Sequence, residues 1–263
     1  MTRTRLWAWL VFGLAFAYFF LPLLGTALFS LRARADVLSL DAYASVLSDP
    51  RFYATFGFSL EMSALTIVGS ALLVVPAAFW VHLRLPRLRP LLELATLLPF
   101  VIPAIVLVFG LIKAYSRPPF VLVASPGLLV AGYVVLSLPY VYRAVDTGLR
   151  AIDVRTLTEA ALSLGAGWPI VVVRIIVPNV RGALLTGALL TFALVMGELT
   201  LAQYLGWPAF GPYLALMGQN RAYEPAALAM ISFGLTWAAM AVLLFFARRQ
   251  ATRRTHAAAA AAA

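Results

Sequence analysis

The chain alternates between long apolar runs and shorter polar segments. A helix needs about 20 apolar residues to span the roughly 30 Å hydrocarbon core of a bilayer, and six runs have about that length. The pattern predicts an all-α membrane protein with six transmembrane helices, forming a single domain over residues 1–263. The predicted spans are 6–29, 59–81, 91–112, 120–142, 183–205 and 226–247.

The first apolar run has a second interpretation. Arg3 and Arg5 precede it, as positive residues precede the apolar stretch of a cleaved signal peptide. However, the run from Leu6 to Phe29 is longer than such a stretch, contains Pro22, and is followed by no clear small-residue cleavage site. We therefore expect an uncleaved first span.

Two other segments depart from a plain helical span. Pro99 and Pro103 lie close together in the third predicted span, so we expect a broken or kinked helix there. The tail 248–263 ends in seven alanines after four arginines, and we expect it to be disordered.

Composition narrows the class of protein. Apolar residues make up 63% of the chain, charged residues 11%, and the mean hydropathy is +0.95, which is far from the balance of soluble domains. The net charge is +10, but in a membrane chain arginines first report topology, so we expect membrane lipid and no nucleic acid among the partners. The absence of cysteine excludes disulfides and thiolate chemistry.

The basic residues are distributed unevenly between the two sides of the predicted bundle. The N-terminus, the turn 82–90, the loop 143–181 and the tail hold 14 of the 20 lysines and arginines, and the opposite loops hold 6. Positive residues are enriched on the cytoplasmic side. We therefore expect both termini and the loop 143–182 in the cytoplasm.

The loop 143–182 is the longest polar-rich segment on that side. Thr156 and Glu159 have the spacing of a capping box, which predicts a helix beginning there. One face of that helix would carry the apolar residues Leu157, Ala160, Ala161 and Leu164, followed by Gly165 and Gly167 as helix ends. Alanines permit close approach, so the face suits docking into another protein.

The same segment resembles a known signature. Glu159-Ala160-Ala161, Gly165 three residues later, and Ile175-x-Val177-Pro178 after nine more match E-A-A-x3-G-x9-I-x-L-P, with valine in place of the usual leucine. Gly182 stands where a second proline is common. This sequence resembles the EAA loop of the permease subunits of binding-protein-dependent ABC importers, and its general layout resembles the polyamine, phosphonate and ferric-iron group.

The resemblance implies the type I permease fold with cytoplasmic coupling helices, in a bacterial inner membrane. It implies a transport subunit rather than an enzyme, carrying a small polar solute such as a polyamine, phosphonate or ferric iron. The expected partners are two ABC ATPase subunits, a second permease subunit, identical or homologous, and an extracytoplasmic solute-binding protein. Residues implied in ATPase coupling are Glu159, Ala160, Ala161, Leu164, Gly165 and Pro178.

The sequence lacks the residues that bind nucleotide directly. It contains no G-x-x-x-x-G-K-[ST] loop, and its one lysine, Lys113, follows Ile112. We expect no cofactor in this chain, with ATP and Mg bound by the partner ATPases. His82 and His256 form no metal pair at helical spacing, and no catalytic cluster lies within the spans, which makes a membrane enzyme or scaffold remote.

Glu198 is a carboxylate deep in the fifth predicted span, where charges are costly and usually functional or paired. Three roles are open: lining a substrate pathway with Thr191 and Thr200, holding a backbone amide or another subunit, or coupling protons. The last role belongs to an alternative function, that of an ion-coupled secondary transporter or channel.

Overall fold

The computed structural model describes residues 3–34, 37–119 and 121–261, and these are almost entirely helical. The helices are α1 (Arg3–Ser30), α2 (Asp41–Ser48), α3 (Pro50–Arg84), α4 (Arg89–Val101), α5 (Ala104–Tyr115), α6 (Pro126–Arg150), α7 (Val154–Ser163), α8 (Trp168–Ile170), α9 (Val177–Asn179), α10 (Arg181–Gly197), α11 (Thr200–Leu205), α12 (Phe210–Asn220) and α13 (Glu224–Ala261). A 3-10 turn, Pro86–Leu88, precedes α4, and a π-helical segment, Val171–Ile176, joins α8 to α9. Two short antiparallel strands, β1 (Arg32–Arg34) and β2 (Val37–Leu38), follow α1.

Four helical segments are long and apolar enough to cross a membrane. They are Trp7–Ser30, Pro50–Arg84, Pro126–Arg150 and Glu224–Val242. Two further pairs of helices reach that length only when the members of each pair are taken together, and each pair is sharply bent. Counting each bent pair as one span gives six.

The third predicted span is broken rather than continuous. The segments Pro86–Val101 and Ala104–Tyr115 meet at an angle of 99°. Ile102 at the break has extended backbone angles, φ −88° and ψ 116°. A residue before proline is disfavoured in the helical region, so Pro103 forces α4 to end there.

The fifth predicted span, 183–205, also contains a break. Helix α10 ends at Gly197, Glu198 is extended (φ −78°, ψ 127°), and α11 begins at Thr200. A second bend of 79° lies earlier, between Trp168–Asn179 and Arg181–Gly197. The fifth apolar run is therefore interrupted at Glu198, and a sharp bend precedes it.

Helix α6 is central to the unit that comprises Thr55–Pro212 and Ala238–Ala263. It begins at Pro126, where the Ser125 hydroxyl accepts the Gly127 N–H at 3.1 Å, and it packs against α10, α4, α5 and α11. Small residues permit these close approaches. Gly148 faces Ala183 and Val180, and Gly187 faces Val141.

This unit has two separate apolar clusters, one near each end of α6. The first joins the end of α3, the second half of α6, α7 and the π-helical segment; the second joins Met62, Val108, Tyr133, Val195 and Leu201 with their neighbours. Between them, the buried hydroxyls of Ser70 and Ser137 hydrogen-bond at 2.6 Å and tie α3 to α6.

The other unit comprises Met1–Ala54 and Tyr213–Trp237. Within it the Ser30 and Tyr43 hydroxyls hydrogen-bond at 2.6 Å, and the Tyr213 hydroxyl donates to the Asp49 carboxylate at 3.0 Å. Residues 7–25 of α1 are exposed throughout.

The tail is described as far as residue 261, and the expectation that 248–263 is disordered stays a prediction. Residues 248–261 continue α13 as a helix that ends at Ala261. Alanine has the highest helix propensity of the amino acids, so a polyalanine end extends a helix that already exists.

Candidate functional site

Helix α7 begins earlier than the sequence predicts. Asp153 is its N-cap, and the Asp153 carboxylate accepts the Thr156 backbone N–H at 3.0 Å and the Thr156 hydroxyl at 2.7 Å. The predicted capping box is therefore wrong, because Thr156 lies one turn inside the helix. These hydrogen bonds from Thr156 lower the pKa of the Asp153 carboxyl below its usual value.

Glu159 is used differently from the capping-box prediction. Its carboxylate accepts from the Arg155 guanidinium at 2.8 Å, an i,i+4 pair on the exposed face of α7. The hydrogen bond and charge of Glu159 raise the pKa of Arg155. Exposed pairs of this kind add little stability, so both side chains remain available to a partner.

The two faces of α7 have different surroundings. Val154, Thr158 and Ala161 are buried and face the first apolar cluster, which also contains residues of α3 and α6. Ala160 is exposed, and Leu164 is 89% exposed. The predicted docking face is thus divided: Ala161 belongs to the interior, whereas Ala160 and Leu164 face outward.

The end of α7 is fixed by a glycine, as the sequence predicts. Gly165 has φ +79°, its N–H bonds to the Leu162 carbonyl at 2.9 Å, and the Ala166 N–H bonds to the Ala161 carbonyl at 3.0 Å. This is the Schellman arrangement, in which a left-handed residue satisfies the last carbonyls of a helix. Gly167 has an ordinary φ of −78° and is the N-cap of α8 instead.

Pro178 lies within the helical run that follows. Proline lacks an N–H and clashes with the carbonyl four residues earlier, so an ideal α-helix is unfavourable around it. The chain widens into the π-helical segment directly before it, where the Val177 N–H bonds to the Val172 carbonyl, five residues back. Pro178 thus marks a local change of helix type, not a helix end.

A cavity of about 260 Å³ lies beside α7. It is lined by Leu83, Arg84, Arg155, Thr158, Glu159, Leu162 and Trp168. The Arg84 guanidinium lies 5.8 Å from the centre of the Trp168 ring, and the Trp80 ring packs on Trp168 edge-on at 5.2 Å. These contacts connect the end of α3 to the beginning of α8.

Glu198 occupies the break between α10 and α11. Its carboxylate accepts the Thr200 N–H at 2.7 Å and the Leu201 N–H at 3.0 and 3.1 Å. The first turn of a helix has unpaired N–H groups and a partial positive charge, which a carboxylate stabilises. Of the three roles that the sequence leaves open, this geometry corresponds to the second, in which the Glu198 carboxylate binds backbone amides.

The surroundings of Glu198 are tightly packed. A Cβ atom on Gly211 would collide with the Glu198 carbonyl oxygen, so only glycine fits there. The other two pathway candidates lie on either side of the break. Thr191 is fully buried, with no partner for its hydroxyl among the described residues, and Thr200 is half-buried.

Asp146 is a site residue that the sequence analysis does not identify. Its buried carboxylate lies at the end of α6 and contacts Arg89, Arg150 and His82. The i,i+4 spacing of Asp146 and Arg150 is visible in the sequence as a helical ion pair. Arg89 is 57 residues away along the chain, so its contact with Asp146 cannot be deduced from spacing.

The architecture defines a class of protein. A bundle of continuous and broken membrane-length helices that holds a capped helix on a polar loop is the type I ABC importer permease fold. A structure of a bacterial ABC transporter involved in the import of alginate has a TM-score of 0.66 at 14% identity, covering 95% of this chain and 96% of that chain. A structure of an amino acid ABC transporter has a TM-score of 0.56 at 20% identity, covering 81% and 100%.

Residues 74–256 match the binding-protein-dependent transport system inner membrane component family, and the chain belongs to this family. This membership confirms the resemblance to permeases of binding-protein-dependent importers, and the solved structures confirm the all-α membrane fold.

Several named permease proteins are similar to this chain, at 26–30% identity. The spermidine/putrescine transport system permease protein PotB of Salmonella typhimurium strain LT2 is 28% identical over 186 residues, which are 65% of this chain and 64% of PotB. The putrescine transport system permease protein PotI of Escherichia coli K12 is 26% identical, covering 77% of this chain and 75% of PotI. A probable sulfate transport system permease protein, cysT, of Chlorokybus atmophyticus is 30% identical, covering 74% and 70%. The match with PotB thus spans less than two thirds of that relative's length.

Proposed function

We propose that this chain is the permease subunit of an ATP-driven importer, and that α7 is the element through which ATPase subunits move it. The family membership supports a transport role. The proposal assigns ATPase contact to the outward residues Glu159, Ala160 and Leu164, and assigns shaping of the loop to Ala161, Gly165 and Pro178.

The exposed Leu164 is the observation that carries this proposal. A leucine that is 89% exposed at a capped helix end gains nothing from its own chain. Ala160 lies one turn away on the same side and is also exposed, so this face of α7 is open to a partner. The opposite face of α7 is anchored in the core shared with α3 and α6, so force applied at Leu164 reaches those helices.

The proposed assembly follows the expectations of the resemblance. Two ABC ATPase subunits bind ATP and Mg, because the sequence contains no phosphate-binding loop of its own. A second permease subunit completes the pathway, and an extracytoplasmic solute-binding protein delivers solute. The arginine distribution supports a bacterial inner-membrane orientation with both termini and α7 in the cytoplasm.

The transport cycle requires a ligand that distinguishes two conformations, because only differential binding shifts such an equilibrium. ATP closure of the ATPases supplies this, and α7 converts it into a movement of the base of α3 and α6. Access to the pathway then alternates between the two sides of the membrane.

For the solute we propose a small organic cation of the polyamine type. The names of PotB and PotI support it, whereas the name of cysT supports sulfate. Glu198 adds no support, because its carboxylate oxygens accept backbone N–H groups. Putrescine and sulfate, offered in turn to the assembled transporter, should differ: only putrescine is expected to stimulate ATP hydrolysis.

The experiment for the coupling role is disulfide cross-linking, which the cysteine-free chain makes specific. Ala160→Cys is tested in native membranes against cysteines on candidate ATPase subunits, with and without ATP. Ala161→Cys is the matched control, because Ala161 is next to Ala160 in sequence but its own side chain is buried. We expect a nucleotide-dependent cross-link from position 160 and none from 161. Equal yields from both positions, or no partner at all, would refute the proposal.

A further inference from the structure

Asp146 joins three separate parts of the chain at the base of α6. The carboxylate, 8% exposed, receives the Arg89 Nε at 3.0 Å and the Arg89 Nη2 at 2.8 Å. Arg150 Nη2 lies 2.8 Å from the second carboxylate oxygen. His82 Nε2, near the end of α3, lies 3.4 Å from the first. One buried anion thus contacts α3, α4 and α6.

The position of Arg89 has no explanation within α4 itself. Arg89 is the first residue of α4, where the positive end of the helix dipole disfavours a cation, and the first turn contains no acidic residue. A two-pronged hydrogen bond to a carboxylate fixes both the charge and the direction of a guanidinium. Asp146 therefore holds the first residue of α4 in place against α6.

Apolar packing holds α4 only weakly. Of its thirteen residues only Thr96 is buried, although α4 lies against α6. In a membrane the lipid is as apolar as the helix surface, so packing and polar contacts supply the attachment. The Arg89–Asp146 pair is the directional contact at this end of α4.

Helix α7 is attached to the same part of α6 in a different way. Val145 and Leu149, on either side of Asp146 in sequence, are buried in the first apolar cluster with Val154 and Ala161 of α7. The base of α6 thus holds α7 by packing and α4 by an ion pair.

We propose that Asp146 is a positioning residue of the coupling apparatus, which makes α4 move as one body with α7. This inference rests on the proposed function. Because α4 leads through its bend into α5, and α5 packs against α11, the clamp extends the movement of α7 to the helices beside Glu198. Without it, α7 moves α3 and α6 while α4 lags behind.

The test measures the separation of α4 and α7 in the assembled complex with its ATPases. Spin labels are placed at two exposed positions, Leu94 in α4 and Ser163 in α7, and distances are recorded without nucleotide and with ATP and vanadate. In the otherwise wild-type chain, we expect the distance between the two labels to be the same in both nucleotide states. In Arg89→Gln and in Asp146→Asn we expect a nucleotide-dependent change of about 2 Å or more, the scale of helix shifts at interfaces.

Two variants distinguish a positioning role of Asp146 from a general contribution to stability. Arg89→Gln leaves Asp146 paired with Arg150, so it keeps the buried carboxylate neutralised if Asp146→Asn fails to fold. Arg150→Gln is the matched control, since it removes an equally close partner without releasing α4, and it should behave as wild type. An unchanged distance in Arg89→Gln, while the cross-link at position 160 still responds to ATP, would overturn this inference alone. Absence of that cross-link when Ala160→Cys is the only substitution would refute both proposals.

Discussion

Substitutions at Glu198 distinguish a carboxylate that stabilises the structure from one that binds solute or transfers protons. If it holds the first turn of α11, its oxygen atoms matter more than its charge. Glutamine has the same shape and keeps one carbonyl oxygen, which can accept the Thr200 N–H that now lies at 2.7 Å. The Leu201 N–H keeps the same oxygen at 3.1 Å but loses the second one, at 3.0 Å, whose place the amide nitrogen takes.

The free-energy cost of each substitution follows from the hydrogen bonds that it removes. Glu198→Gln loses one charge-assisted hydrogen bond, which corresponds to about 2 kcal/mol. Glu198→Ala leaves two backbone N–H groups without an acceptor in a half-buried site, at about 1–3 kcal/mol each. We therefore expect the alanine variant to be about 2 kcal/mol less stable than the glutamine variant, since alanine leaves both N–H groups unpaired whereas the glutamine oxygen still accepts them.

Thermal unfolding of the purified protein in lipid nanodiscs measures this order. Transport is measured in parallel and decides the role of Glu198. If Glu198 only caps α11, the Glu198→Gln variant should retain transport. Transport should then decline together with stability across the two variants. If Glu198→Gln abolished transport while its unfolding temperature matched the wild type, the cap reasoning would be refuted. Proton coupling or solute contact at Glu198 would then be required.

Three smaller predictions concern the loops outside the spans. Gly165→Ala should destabilise the protein by about 1 kcal/mol, because φ is +79°, whereas Gly167→Ala, at φ −78°, should be neutral in the same thermal unfolding assay. Asp153 has a lowered pKa, so its contribution to stability is present above about pH 4 and is lost as the pH falls through the folded value; Asp153→Asn should flatten that acid limb of the unfolding profile. Burial, and then the hydrogen bond to Asp49, raises the pKa of Tyr213 to about 12, so its stabilising contribution is full below about pH 10 and is lost through pH 12. Phenolate absorbance should show this titration, and Asp49→Asn should lower its midpoint.

The sequence was informative where one local rule decided the structure. The apolar runs predict a helical membrane bundle, and Pro103 predicts the break in the third of them, although not its angle of 99°. Gly165 ends α7 because no other residue fits its left-handed backbone so readily.

Prediction failed where two local signals competed. Both Asp153-x-x-Thr156 and Thr156-x-x-Glu159 have the spacing of a helix start. Asp153 prevails because its carboxylate accepts both the N–H and the hydroxyl of Thr156. The interruption at Glu198 could not be foreseen from an apolar run, since it depends on the carboxylate reaching N–H groups two and three residues ahead.

Contacts between distant segments account for the rest of what the sequence did not show. Asp146 and Arg89 each have an ordinary local environment in the sequence, one in a helix with Arg150 and the other in a basic turn. Their pairing exists only because α4 packs against α6. The division of the α7 face has the same origin, because Ala161 becomes interior only once α3 and α6 are in place.

The two carboxylates at the ends of the bundle have a shared consequence for the solute pathway. Arginines compensate the charge of Asp146, and the Glu198 oxygens accept backbone N–H groups, so neither carboxylate is free to bind a passing solute. Among the described residues, the buried polar atoms that still lack a partner include the Thr191 hydroxyl and the indole N–H of Trp207. Buried polar groups need partners, so water or solute must supply them where the chain does not. A pathway through this half of the bundle would therefore be lined by neutral donors and acceptors, and Thr191 is a stronger candidate for it than Glu198.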